Sequence, residues 1–113
     1  DALRCYTNTG AEDAQDLSTV SMSLEMFTAY IRGYLSEMGP SLCPAELDYL
    51  AFSGRYITFE QVLRFLMDYL DGDTYYKTKY PEHNLVRARA QYKLLQSMEA
   101  QFPQMCEIVA SLR

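Results

Sequence analysis

The stretch Phe59–Leu70 constrains the fold most. Phe59, Val62, Leu63, Phe65, Leu66, Met67, Tyr69 and Leu70 leave it apolar on nearly every side, and a helix of that kind belongs in the middle of a bundle. Thr58-Phe59-Glu60-Gln61 at its start has the form of a capping box, in which Thr and Gln each satisfy an orphan N–H of the first turn. Asp71-Gly72-Asp73 ends it. The rest of the chain has to supply helices to surround this one.

It does so by periodicity. From Ser23, which can cap a helix start with its hydroxyl, Leu24, Phe27, Ile31, Tyr34 or Leu35 and Met38 recur at spacings of three and four. Gly39-Pro40 closes that helix, glycine by accepting a left-handed cap and proline by ending the ladder. Cys43-Pro44-Ala45-Glu46 opens the next, with proline at the first position and a carboxylate near the positive end of the dipole; Ser53-Gly54 is expected to loosen it. Asn84 is expected to cap a long helix whose stripe is Leu85, Ala88, Tyr92, Leu95 and Phe102. Pro103 begins a terminal one using Met105, Ile108, Val109 and Leu112. Asp1–Tyr6 reads as the last turns of another helix, followed by a polar connector with Glu12, Asp13 and Asp16 that is expected to be solvated. No alternating strand pattern, repeat or low-complexity tract interrupts this. The fold class is all-α, about five helices in one domain over residues 1–113.

Charge and cysteine content narrow the function. Ten Lys and Arg against fifteen Asp and Glu leave a net charge of −5, which argues against wholesale nucleic-acid binding. The longest apolar runs are cut by Asp48, Arg64 or Asp68, so no membrane span is expected. Cys5, Cys43 and Cys106 form no CxxC pair and His83 is the lone histidine, so a structural zinc site lacks ligands. Three reduced thiols, two or more of them buried, fit a cytoplasmic protein. The first residues carry no secretory-signal pattern and read as already inside a helix, so the sequence is expected to be a piece of a longer protein.

Three local features invite chemistry. Asp71, Asp73 and Glu82 fall at positions 1, 3 and 12 of an EF-hand frame, but Tyr75 and Tyr76 occupy positions 5 and 6, where an oxygen ligand and a glycine are needed. Lys77, Lys79, Arg87, Arg89 and Lys93 stand against Glu82 alone, either as an exposed face pairing with acids elsewhere or as a local anion contact. Arg64 and Asp68, spaced i, i+4 on the apolar helix, either pair across one turn or line a polar pocket for a hydroxylated ligand, with Tyr75 and Tyr76 as stacking wall or phenol donors. No P-loop, nucleophile elbow or His-x-Asp element is present, and no residue is assigned as catalytic or as a metal ligand.

Four strings carry a family resemblance: Asp1-Ala2-Leu3-Arg4; Ser23-Leu24-Glu25-Met26-Phe27-Thr28-Ala29-Tyr30; Arg64-Phe65-Leu66-Met67-Asp68-Tyr69-Leu70-Asp71-Gly72-Asp73-Thr74-Tyr75-Tyr76-Lys77; and Tyr80-Pro81-Glu82-His83-Asn84-Leu85-Val86-Arg87-Ala88-Arg89-Ala90-Gln91. Together the chain resembles the C-terminal part of bacterial aminoglycoside/choline-kinase-type phosphotransferases, in the branch of the N-acetylhexosamine 1-kinases. The resemblance implies a protein-kinase-like parent with an ATP-binding N-terminal lobe and a helical C-terminal lobe for the acceptor. It places the catalytic His-x-Asp loop and the magnesium-binding segment before residue 1. ATP and magnesium would then be cofactors of the parent and not of this portion. An N-acetylhexosamine would be the acceptor, contacted by Arg64 and Tyr75, with Asp68 beside them. Asp1 would anchor the catalytic loop of the parent. Cys43 departs from the family pattern, where similar sequences have Thr or Ser as a cap.

Two functional expectations follow. The first is an acceptor-binding fragment of a sugar kinase, without activity alone, with an exposed apolar face through which it self-associates. The second is a free-standing helical interaction module with a well-closed core.

Overall fold

In the computed structural model, which describes all of residues 1–113, the chain forms six α-helices and no strands: α1 (Ala2–Tyr6), α2 (Leu24–Met38), α3 (Pro44–Asp48), α4 (Leu50–Leu70), α5 (His83–Ala100) and α6 (Phe102–Leu112), with short 3-10 turns at Leu17–Thr19 and Gly39–Ser41. The fold is all-α. None of these helices is long and apolar enough to cross a membrane.

Several starts and stops obey local chemistry. Ser23 Oγ accepts the Met26 N–H at 3.1 Å, and Glu46 reaches back to the Cys43 N–H at 2.8 Å, with Pro44 at the first turn of α3. Gly72 and Asp73, at φ of 93° and 61°, reverse the chain after α4. Pro103 sits in the first turn of α6.

Other expectations are corrected. The break between the third and fourth helices comes at Tyr49, and α4 then runs unbroken through Ser53-Gly54 and Thr58. Thr58 caps nothing. Its hydroxyl donates to the Gly54 carbonyl one turn back at 2.8 Å, while Gln61 Nε2 donates to the Tyr76 hydroxyl at 3.0 Å. Gly39 has ordinary right-handed angles, because a 3-10 turn continues the chain there. The helix at 83 starts one residue before Asn84, whose amide is used elsewhere. All three cysteines are exposed, so none serves as core filler.

The core gathers Leu3, Val20, Met22, Phe27, Ile31 and Ala51 with Ala90, Leu94, Met98, Met105 and Val109. α4 and α5 pack as an antiparallel pair, Thr58 lying at 3.4 Å from the Met98 sulfur and Asp68 at 2.6 Å from Asn84. α2 lies against α6 and α1, and α1 against α4. That last approach is close: a Cβ built on Gly54 would sit 2.7 Å from Leu3 Cδ2, so glycine is what lets α1 reach the helix. On α5 the deepest positions are Ala90, Leu94 and Met98, while Tyr92 of the expected stripe is exposed.

The centre-of-bundle expectation for Phe59–Leu70 fails for half of the helix. The side of α4 that faces the core carries Ala51, Gly54, Thr58, Gln61, Phe65 and Asp68, all buried. The opposite side carries Phe52, Tyr56, Phe59, Leu63, Leu66 and Leu70, all exposed, Phe59 by 49% and Leu70 by 74%. Both series step by threes and fours, so each is a continuous stripe along the helix.

The acidic connector is also not idle. Glu12 accepts from Arg4 Nη1 at 2.9 Å, and Asp13 lies 2.8 Å from His83 Nε2. Asp16 takes the Ser18 N–H and hydroxyl, and the Ser18 hydroxyl contact is the main cause of its lowered pKa. Arg4, only 5% exposed, bridges Asp1, Glu12 and Gln91. Every buried side-chain nitrogen and oxygen in the molecule has a hydrogen-bond partner.

Candidate functional site

The last turn of α4 and the loop after it build a cleft of about 330 Å³, lined by Arg64, Met67, Asp68, Asp71, Thr74, Tyr75 and Tyr76. Arg64 and Tyr75, singled out from the sequence, are brought together here. The Arg64 guanidinium carbon stands 5.6 Å from the centre of the Tyr75 ring and 5.7 Å from that of Tyr76. The two tyrosines meet edge to face at 4.9 Å, and Tyr76 in turn packs on buried Phe65 at 4.8 Å. Exposed cation and exposed ring are thereby tethered to the core through one aromatic step.

Asp68 shares the cleft but not in the expected way. It forms no ion pair with Arg64: its Oδ1 accepts the N–H groups of Thr74 and Tyr75 at 3.0 and 2.8 Å, and its Oδ2 accepts the Tyr76 N–H at 3.0 Å and the Asn84 amide at 2.6 Å. Those four bonds occupy the lone pairs of the carboxylate. Loss of water around it pushes its pKa up, but the donors from Tyr76, Tyr75, Asn84 and Thr74 outweigh that and hold it below the ordinary carboxylate value. Asp68 is therefore the clamp of the loop. Asn84 extends the clamp, donating also to Asp73 at 2.9 Å and accepting from Arg87 Nη1 at 2.9 Å, whose Nη2 donates to the Lys77 carbonyl at 3.0 Å.

Sequence reasoning missed a residue here. Asp71 stands on the cleft, exposed, with no side-chain hydrogen bond, and so offers the free carboxylate that Asp68 does not. In the sequence it looked like a helix stop, and only the saturation of Asp68 separates the two roles. Asp1 does not line this cleft; its carboxylate accepts from Arg4 Nε at 2.9 Å.

The other candidates resolve differently. The oxygens at EF-hand spacing do not converge, since Asp73 is bonded to Asn84 and Asp71 faces the cleft; no three His, Cys, Asp or Glu side chains gather to hold a metal ion. The basic stretch is dispersed. Arg87 is bound to the loop and Lys93 Nζ donates to the Val20 carbonyl at 3.0 Å. His83 is buried at 1% exposure, stacked on Tyr80 at 4.6 Å. Its Nδ1 accepts the Lys79 N–H at 3.2 Å, which sets the ring hydrogen on Nε2, toward Asp13. The Asp13 pKa is lowered chiefly by that contact. A larger concavity, about 730 Å³, lies between residues 14–17 and 80–89, but its charged lining is Glu82 and Arg89 alone.

No model of a known protein family matches the chain. What the structure defines is an all-α helical unit with a cationic-aromatic cleft at the C-terminal end of its longest helix.

Proposed function

We propose that this chain is the acceptor-binding part of an ATP-dependent sugar phosphotransferase of the N-acetylhexosamine 1-kinase type. The observation that carries the reading is the Arg64–Tyr75 pairing on a loop clamped by Asp68. A pyranose has an apolar ring face and a rim of hydroxyls. An exposed aromatic ring suits the first, and a guanidinium with several fixed N–H donors suits the second. Asp71 adds an acceptor for a hydroxyl proton. In this reading the clamp matters because phosphoryl transfer depends on positioning, and a loop free to move would lose the alignment of the acceptor oxygen. ATP, magnesium and the catalytic base belong to the upstream portion of the parent, and the reacting oxygen is the anomeric hydroxyl. The residues here bind and orient.

The second reading, a self-sufficient interaction module, predicts a closed core, and the outer stripe of α4 is open.

The test is phosphotransfer by a polypeptide carrying this sequence together with its upstream region, assayed with magnesium-ATP and N-acetylhexosamines. Arg64→Ala should raise the sugar KM about tenfold or more, with the ATP KM unchanged. No phosphorylation of any hexosamine, or an equal effect on both substrates, would sink the reading, as would turnover by residues 1–113 alone.

A further inference from the structure

The most apolar surface of the molecule is uncovered. Along the outer side of α4 the exposed stripe from Phe52 to Leu70 forms a ridge. Beside it runs a groove between α4 and α5, about 360 Å³, floored by Val62, Leu85, Ala88 and Leu95 and edged by Tyr92. We propose that a second copy of this chain covers this face, packed about a two-fold axis so that the α4 ridge of each copy lies in the α4–α5 groove of the other. The inference uses none of Arg64, Asp71 or Tyr75, and is tested on this chain alone.

Three features point to a second copy. First, the shapes are self-complementary. Ridge and groove lie side by side on one face, and a two-fold axis fills both grooves with both ridges at once, as an isologous interface requires. A single foreign helix would fill the groove and leave the ridge partly open. The three-and-four spacing of the ridge is the repeat that lets facing helices interdigitate at a shallow crossing angle.

Second, the area reaches the low end of a stable interface. α4 has 21 residues, so at 1.5 Å per residue it is roughly 30 Å long. A face two helices wide is roughly 20 Å across. That footprint of roughly 600 Å² per copy, before surface relief is counted, approaches the roughly 800 Å² per partner of a stable interface.

Third, the two rims carry one pair of opposite charges beside the groove. The groove holds one charged side chain, Arg89, on the α5 side. By helical periodicity Glu60 borders the ridge on the side of α4 away from α5. A two-fold axis sets the α4 border of one copy against the α5 border of the other, and so Glu60 against Arg89.

Sedimentation equilibrium of the 113-residue chain, from micromolar to high-micromolar concentration, tests this. The expected mass is twice 13.0 kDa at the upper end. Leu63→Glu should weaken the dimer about tenfold or more while dilute samples keep the helical circular dichroism of the parent. Tyr56→Glu, at an exposed position two turns away, should do the same and serves if Leu63→Glu folds poorly. Arg32→Glu, exposed on α2, should leave the dimer intact. Arg89→Glu should weaken association and Glu60→Arg in the same chain should restore it, which is specific to the two-fold arrangement. A chain that stays monomeric throughout overturns the proposal and leaves the face to a helix of another sequence. Dimers untouched by Leu63→Glu and Tyr56→Glu overturn it as well, and a charge reversal that fails to restore association overturns the two-fold alignment.

Discussion

Apart from Phe65, the side of α4 turned to the core is small or polar, and the side turned outward is large and apolar, the reverse of an ordinary surface helix. The inner stripe is specialised for close approach and for bonding: Gly54 admits Leu3, Thr58 meets Met98, Gln61 holds Tyr76 and Asp68 clamps the following loop. The outer stripe has only area to offer. Burial thus follows shape and hydrogen bonding on this helix, and hydrophobicity alone would have turned it the other way. The comparison also separates what a substitution should do on each side.

The sharpest contrast lies at Phe65, which is buried on the inner stripe between Tyr76 and the Arg87 guanidinium. Phe65→Ala should cost about 3–5 kcal/mol in urea unfolding, the range for removing a buried aromatic ring. A loss under about 1 kcal/mol would mean that the inner face is no tighter than the outer one.

A second test acts on the polar end of the same stripe through pH. Asp68 and Asp13 both have folded-state pKa values below the ordinary 3.8. A carboxylate depressed on folding stabilises the folded state in full above its unfolded pKa, and that contribution disappears as pH falls through the folded value. Urea midpoints should therefore be level from neutrality to about pH 5 and fall below about pH 4. Asp68→Asn should flatten part of that fall, with Asp13 accounting for a further part; an unchanged acid limb would remove Asp68 from its place as the clamp.

The smallest effect belongs outside. Leu63→Ser, at a position 47% exposed, should alter the stability of dilute protein by no more than about 0.5 kcal/mol. A loss comparable to that of Phe65→Ala would erase the distinction between the two sides.

Several features that depend on near neighbours in the chain could be read from the sequence. The Ser23 cap, the Pro44–Glu46 start, the Gly72 reversal and the Pro103 start each need only a few adjacent residues, and each is present. The errors share a cause. Thr58 and Gln61 have capping-box spacing, but a hydroxyl can bond one turn back within a continuing helix, and Tyr76 supplies the glutamine partner from fifteen residues on. Arg64 and Asp68 have ion-pair spacing, yet three loop amides and Asn84 reach the carboxylate from positions that no helical periodicity indicates. Arg64 and Tyr75 do share a cleft, whereas the free Asp71 became distinguishable only once the partners of Asp68 were known. The connector is exposed at Glu12 and Asp16 as expected, but the partners of its carboxylates could not be read because His83, and the Gln91 that shares Arg4 with Glu12, lie far along the chain.

Those distant partners order events during synthesis. Arg4 waits for Gln91, Asp13 for His83, the Val20 carbonyl for Lys93, and the Met22 backbone for Ser97 and Gln101. Every one of these lies on α5 or at its end, so these polar contacts can form only once residues 83–101 have been made, whereas Leu3 can already meet Gly54 of α4. A chain truncated before residue 83 should therefore leave residues 9–22 more open to proteases than a chain that includes α5.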